Sequence, residues 1–127
     1  MDLKKYWEAA LQQEAEILKS FFHKDACINW HNTNEQFTVE EFVRVNCEYP
    51  GEWDGEIEKI VEKEELLISV VHVFSRDKKM SAHVTSFMKL ADDKIILMDE
   101  YWGDDGSPPR WRKEMNIGKA IKNKAEL

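Results

Sequence analysis

From Asp54-Gly55 onward the chain gives up helical spacing for a period-two alternation rich in β-branched residues. Four such runs follow one another: Glu56 to Lys63, Leu66 to Ser75, Lys79 to Leu90 and Lys94 to Trp102. A two-residue repeat places successive side chains on opposite faces of a strand, so each run reads as a strand with one apolar face. The connections are short, notably Arg76-Asp77-Lys78 and Ala91-Asp92-Asp93, which makes the four an antiparallel meander. Such a sheet has an apolar face that something else in the chain must cover.

The cover lies upstream. Between Asp2 and Ser20, Leu3, Tyr6, Trp7, Ala10, Leu11, Ile17 and Leu18 recur at three and four, the spacing of one helical face. Ala26 to Trp30 alternates as a short strand with Ile28 and Trp30 on a common face. Thr38-Val39-Glu40-Glu41 has the form of a capping box, flanked by Phe37 and Phe42 as a hydrophobic staple. A second helix is therefore predicted from Val39, ended by Pro50-Gly51. Gly103 to Pro109 carries turn chemistry, Arg110-Trp111-Arg112 begins a short irregular or helical tail, and Lys119 to Leu127 is expected to fray. The order implies an α+β chain of one domain, 1–127, with a folded core over 1–112 and a tail over 113–127.

The net charge of -7 disfavours nucleic acid and anionic lipid surfaces as partners. No stretch offers the roughly 20 apolar residues of a membrane span, and the N-terminus leads straight into an amphipathic segment. A cytoplasmic protein is expected, with Cys27 and Cys47 as free thiols. Five Trp, six Phe and three Tyr are generous for 127 residues and must fill a core or line a cavity.

Alternation also assigns faces. On the third run Met80, Ala82, Val84, Ser86, Met88 and Leu90 form the nearly apolar stripe that belongs under the helices. With Asp77-Lys78 as a two-residue turn, Val84 pairs with Val71 and Ala82 with Val73, so Leu67 and Ser69 also point inward. His72 then faces His83 on the outer side. Zinc wants three or four ligands at close range, and the strand pattern supplies no third. The pair reads as an outer-face or dimer-interface feature, and no metal is expected.

The element order, with Lys24-Asp25-Ala26-Cys27-Ile28 after the first helix, Lys94-Ile95-Ile96 opening the last strand and Glu100-Tyr101-Trp102-Gly103-Asp104 closing it, resembles the nuclear transport factor 2-like superfamily. It is nearest to the SnoaL-like and ketosteroid-isomerase-like branches. The resemblance implies a cone-shaped, cystatin-like fold: a curved antiparallel sheet wrapped around N-terminal helices, a cavity at the wide end, and a convex face that forms a homodimer. It also implies that Met98, Glu100 and Trp102 point inward, which needs an odd or bulged turn at Ala91 to Asp93; an even turn would substitute Asp99 and Tyr101. Matched onto the family, Trp30 stands where a ketosteroid isomerase carries its general-base aspartate, and Ser86 where it keeps a protonated aspartate. Both acids of that chemistry are missing.

Glu100 is thus the one ionisable residue expected in the apolar mouth, either as a general acid or base or as a rim carboxylate paired with Arg110 or Arg112. Trp30, Trp53 and Trp102 can wall an aromatic box, with Ser86 and Met98 also expected to line the pocket and His31 to sit beside its mouth. Three functions fit. The first is a SnoaL-like domain that binds a small apolar or aromatic molecule without a cofactor. The second is an isomerase-, cyclase- or dehydratase-type enzyme moving a proton with Glu100. The third is a dimeric structural or adaptor protein whose convex face carries Ile68, Val70, His72, Phe74, Thr85 and Phe87.

Overall fold

The computed structural model describes residues 1–122. It contains α1 (Leu3–Leu11), α2 (Ala15–Ser20), β1 (Phe22–Trp30), β2 (Glu35–Thr38), α3 (Val39–Glu48), β3 (Trp53–Lys63), β4 (Leu66–Ser75), β5 (Ser81–Ala91), β6 (Lys94–Asp104) and α4 (Arg110–Glu114). The expected fraying at the C-terminus falls partly on residues 123–127, outside the described residues.

The helical segment at the start is two helices rather than one. Asp2 caps α1 through its side chain, which accepts from the Lys5 amide. At Gln13 the backbone turns left-handed, with φ 56°. The Gln13 side-chain amide then donates to the carbonyls of Asn46 and Tyr49, tying the break to the end of α3. The second predicted helix starts at Val39 as expected: Thr38 Oγ1 accepts from the Glu41 amide and the Glu41 carboxylate accepts from the Thr38 amide. Its flanking rings do not merely touch each other's neighbourhood. Phe37 and Phe42 both pack edge-on against Trp30, at centroid distances of 4.9 and 6.3 Å.

The strands form one six-stranded sheet in the order β2-β1-β6-β5-β4-β3. The meander β3 to β6 is antiparallel as predicted, but the sheet is mixed, because β1 lies parallel to β6. β1 starts at Phe22, four residues before the alternation becomes visible, and β2 hairpins back on it through a turn at His31 to Asn34. β2 has no apolar stripe, since three of its four residues are exposed, so period-two reasoning passes over it.

Between β4 and β5 the register is the predicted one, with Val71 opposite Val84, Val73 opposite Ala82 and His72 opposite His83. The turn itself is longer than two residues. Pairing stops at Phe74 and Ser81, and Asp77 is held by Ser75 Oγ and the Lys79 amide. Met80 therefore falls outside the ladder and is 52% exposed, though it still lines the concave side. Between β5 and β6 the turn is tight, with Asp92 and Asp93 at φ 52° and 61° as a two-residue hairpin of this hand requires. The odd residue lies inside β6 instead. Leu90 pairs with Ile95 and Lys89 with Leu97, leaving Ile96 as a bulge. That shift turns Met98, Glu100 and Trp102 to the concave face, opposite Met88, Ser86 and Val84.

The core lies between that face and the helices. Leu3, Tyr6, Trp7 and Ala10 of α1, Leu18 of α2 and Phe42 of α3 are buried with Ile28, Val71, Val84, Met88, Ile95 and Met98 of the sheet. Gly55 is wedged between β4 and α1, where a Cβ would stand 2.8 Å from the His72 carbonyl oxygen and 3.0 Å from Leu11 Cδ1. Gly55→Ala is expected to lower stability by about 1–3 kcal/mol through overpacking, read as a reduced midpoint in urea unfolding.

Candidate functional site

At the wide end of the sheet α1, α3 and the inner strands leave a cavity of about 720 Å³. Its wall includes Tyr6, Trp30, Trp53, Glu100 and Trp102. Each is placed by a feature already described: Tyr6 by the apolar face of α1, Trp30 by the inner parity of β1, and Glu100 and Trp102 by the bulge in β6.

Glu100 is the centre of this constellation. Parallel pairing sets Trp30 beside it, and antiparallel pairing sets Ser86 on its other side. The Trp30 indole N–H donates to Glu100 Oε1 at 3.0 Å, and the Ser86 hydroxyl donates to Oε2 at 2.5 Å. The two positions that the resemblance matched to a ketosteroid isomerase's acids thus carry donors to a different carboxyl. Glu100 is 2% exposed, and no lysine or arginine among the described residues is bonded to it. Arg110 pairs with Glu114 instead, so the rim-pair alternative is not realised.

Burial raises the Glu100 pKa above that of an ordinary carboxyl, and the bonds from Ser86 and Trp30 offset this only in part. The Trp102 indole also lies near enough to pull the value down, yet its buried Nε1 meets no protein acceptor in hydrogen-bond geometry. An orphaned N–H beside a carboxyl is the kind of group that a ligand oxygen would satisfy. Tyr6 adds a second weakly used donor. Its hydroxyl reaches only the Met98 sulfur, at 3.5 Å, and burial together with the nearby Glu100 charge pushes its pKa well up, keeping the proton on.

The other residues singled out from the sequence divide. Ser86 and Met98 are fully buried behind the wall, supporting Glu100 and Tyr6. Trp53 lines the cavity, with its indole N–H donating to the Pro50 carbonyl and its ring against Tyr49, while Trp30 and Trp102 meet edge-on at 6.4 Å. His31 is not at the mouth. It stacks on Tyr101 at 4.4 Å and lies 2.7 Å from Asp99 Oδ1, with the side chains that the bulge turned outward. Burial alone would raise the Asp99 carboxyl, but the His31 and Asn29 bonds outweigh it and hold the pKa below the usual range. Sequence reasoning had placed Tyr6 on the core face of α1 without connecting it to the cavity, because nothing in helical spacing says which buried ring borders empty space.

No family model matches the chain, and no curated protein matches it. Solved structures do. A candidate ketosteroid isomerase from Kribbella flavida DSM 17836 superposes with a TM-score of 0.78 at 17% identity, over 96% of this chain and 88% of that one. A nuclear transport factor 2-like protein of unknown function from Burkholderia xenovorans LB400 gives 0.75 at 18% identity, over 93% and 91%. A candidate SnoaL-like polyketide cyclase from Shewanella putrefaciens CN-32 gives 0.65 at 14%, over 77% and 75%. At these identities the likeness is one of architecture, and it agrees with the curved six-stranded sheet and its covering helices: the chain has the nuclear transport factor 2-like fold that SnoaL-like and ketosteroid-isomerase-like proteins share.

Proposed function

We propose that this chain binds a small, largely apolar carbonyl compound in the cavity above Glu100 and exchanges a proton with it. The observation that carries the reading is a carboxyl buried without a cation partner at the floor of an aromatic-walled cavity. A carboxylate in that setting costs several kcal/mol that no counter-ion repays, so the group holds its proton into the pH range where a general acid is useful. Trp102 Nε1 and the Tyr6 hydroxyl are donors at the same wall and suit a carbonyl or enol oxygen. Trp30 and Trp102 give a flat apolar body surfaces to lie against. The size of the cavity falls in the usual range for a small-molecule site.

A test is α-hydrogen exchange of an aryl methyl ketone in deuterium oxide, followed by proton NMR. The wild-type chain is expected to accelerate exchange, and Glu100→Gln to lose about 10²–10⁴-fold of that acceleration. Equal rates in the two proteins would leave a binding site without catalysis. Trp102→Phe keeps the wall but removes the free N–H, and is expected to weaken ketone binding about tenfold.

Glu100 also sets a pH dependence of stability. Because its folded pKa is raised, the folded state binds more protons than the unfolded one between about pH 4.3 and the folded value. Stability from this group is full below that window and falls as pH rises through it, by up to about 1.4 kcal/mol per pH unit. Glu100→Gln should remove that decline, as measured by urea unfolding at stepped pH, and NMR titration of the wild type should show no normal carboxyl at this position.

The convex face favours self-association. Phe87 and Tyr101, 38% and 45% exposed, meet edge-on there at 6.0 Å on neighbouring strands, and a contiguous aromatic surface is an ordinary mark of an interface. A homodimer is expected by light scattering coupled to size exclusion, and Phe87→Glu is expected to yield monomer.

A further inference from the structure

Four neighbouring strands bring ionisable side chains to one spot on the convex face, at an edge where Asp105 also borders the cavity. They are Glu58 from β3, His72 from β4, His83 from β5 and Asp105 directly after β6. His72 and His83 are cross-strand partners, and their rings lie face to face with centroids 4.7 Å apart and planes 9° from parallel. Glu58 occupies a bulge: Ile57 pairs with Val71 and Lys59 with Val70, leaving Glu58 without a partner in β4. Bulges bend a strand and re-aim its side chain, and here the carboxylate reaches past β4 to His83, with Oε1 3.3 Å from Nε2.

The second nitrogen of the same ring is also engaged. His83 Nδ1 lies 2.5 Å from Asp105 Oδ1. A histidine that gives its Nδ1–H to a carboxylate presents Nε2 as a bare, more basic donor, the arrangement that orients metal-binding imidazoles. One potential ligand atom from each of Glu58, His72 and His83 lies within 4.8 Å of the other two. Zinc with nitrogen and oxygen ligands at about 2.0–2.2 Å needs them about 1 Å nearer still. Glu58, the exposed member of the three, can supply that closure; its Oε2 lies 3.4 Å from His83 Nε2 and 3.6 Å from Lys122 Nζ.

The ligand set, two imidazoles and a carboxylate, is the borderline nitrogen and oxygen set that suits zinc and its neighbours. The groups are half-buried, so the ion has both a path from solvent and room for water in the remaining position.

We propose that Glu58, His72 and His83 bind one divalent transition-metal ion, zinc by preference, on the convex face, with Asp105 as the positioning residue that orients His83.

The test uses the full chain without a histidine tag, stripped with chelator and dialysed, and titrated with cobalt(II) as a spectroscopic probe. One cobalt per chain is expected, with the intense visible bands of a four-coordinate ion, and zinc should displace it. His72→Ala and His83→Ala should weaken binding by about 100-fold or more, and Asp105→Asn by about 10–100-fold. Glu58→Gln, a change at a strand bulge that leaves the core alone, should weaken binding while circular dichroism stays that of the wild type. His23→Ala, far from the cluster in the fold's β1, should change neither stoichiometry nor spectrum. The assignment is overturned if the wild-type chain binds no cobalt at equimolar concentration, if the bands persist in the folded Glu58→Gln and His83→Ala variants, or if His23→Ala abolishes them.

Discussion

One unpaired residue, Ile96, decides which side chains β6 offers to the helices. Without it the tight Asp92-Asp93 turn would carry its even register the whole length of the hairpin, and Asp99 and Tyr101 would face inward while Glu100 and Trp102 faced water. The apolar bookkeeping settles the choice. Ile95 and Met98, three residues apart, are both fully buried, which strict alternation forbids and a bulge permits. Burying two such side chains is worth about 1.5–3 kcal/mol each, well beyond the loss of one ladder hydrogen bond. The position of the carboxyl in the cavity follows from the packing of its apolar neighbours.

That carboxyl would be a liability in a core built only for stability. Glu100 accepts two good hydrogen bonds and still lacks a counter-charge, so its proton is held by desolvation. A glutamine of the same shape would avoid the cost of ionisation, accepting from Trp30 through its oxygen and donating to a reoriented Ser86 hydroxyl through its amide. What a glutamine cannot do is give up a proton to a molecule in the cavity, and this is the physical reason for reading the site as chemical rather than merely filled.

Much of the architecture was legible because it depends on periodicity and local capping. The strand β4 begins and ends where alternation placed it, the β4–β5 register follows from the centre of its turn, and α3 begins at the capping box. Two of the misses are set by partners distant in sequence: the break at Gln13 is held by carbonyls at Asn46 and Tyr49, and the parallel β1–β6 pairing joins segments about 70 residues apart. The third, β2, is a local hairpin on β1 whose mostly exposed residues show no apolar alternation. The candidate site was legible to the extent that Glu100, Trp30 and Trp102 could be put on one face. The resemblance to ketosteroid isomerases marked Trp30 and Ser86 as places where acids are absent, but not that both would turn their donors on Glu100. His31 was misplaced because its side chain follows Asp99, which the bulge carries outward.

A second bulge, at Glu58, works on the opposite face of the sheet. The two irregularities are of the same kind, an extra residue on one strand of an antiparallel pair, and each delivers a glutamate to a cluster of side chains from neighbouring strands. On the concave side the partners are indole and hydroxyl donors in a closed, apolar space, and burial favours the protonated acid. On the convex side the partners are two imidazoles and a second carboxylate, open to water. The two proposals accordingly give the same side chain different roles, a proton donor in one place and a cation ligand in the other. Nothing about glutamate differs between them; the sheet separates a buried position from one open to water, and a strand bulge is the device that aims a carboxyl at each.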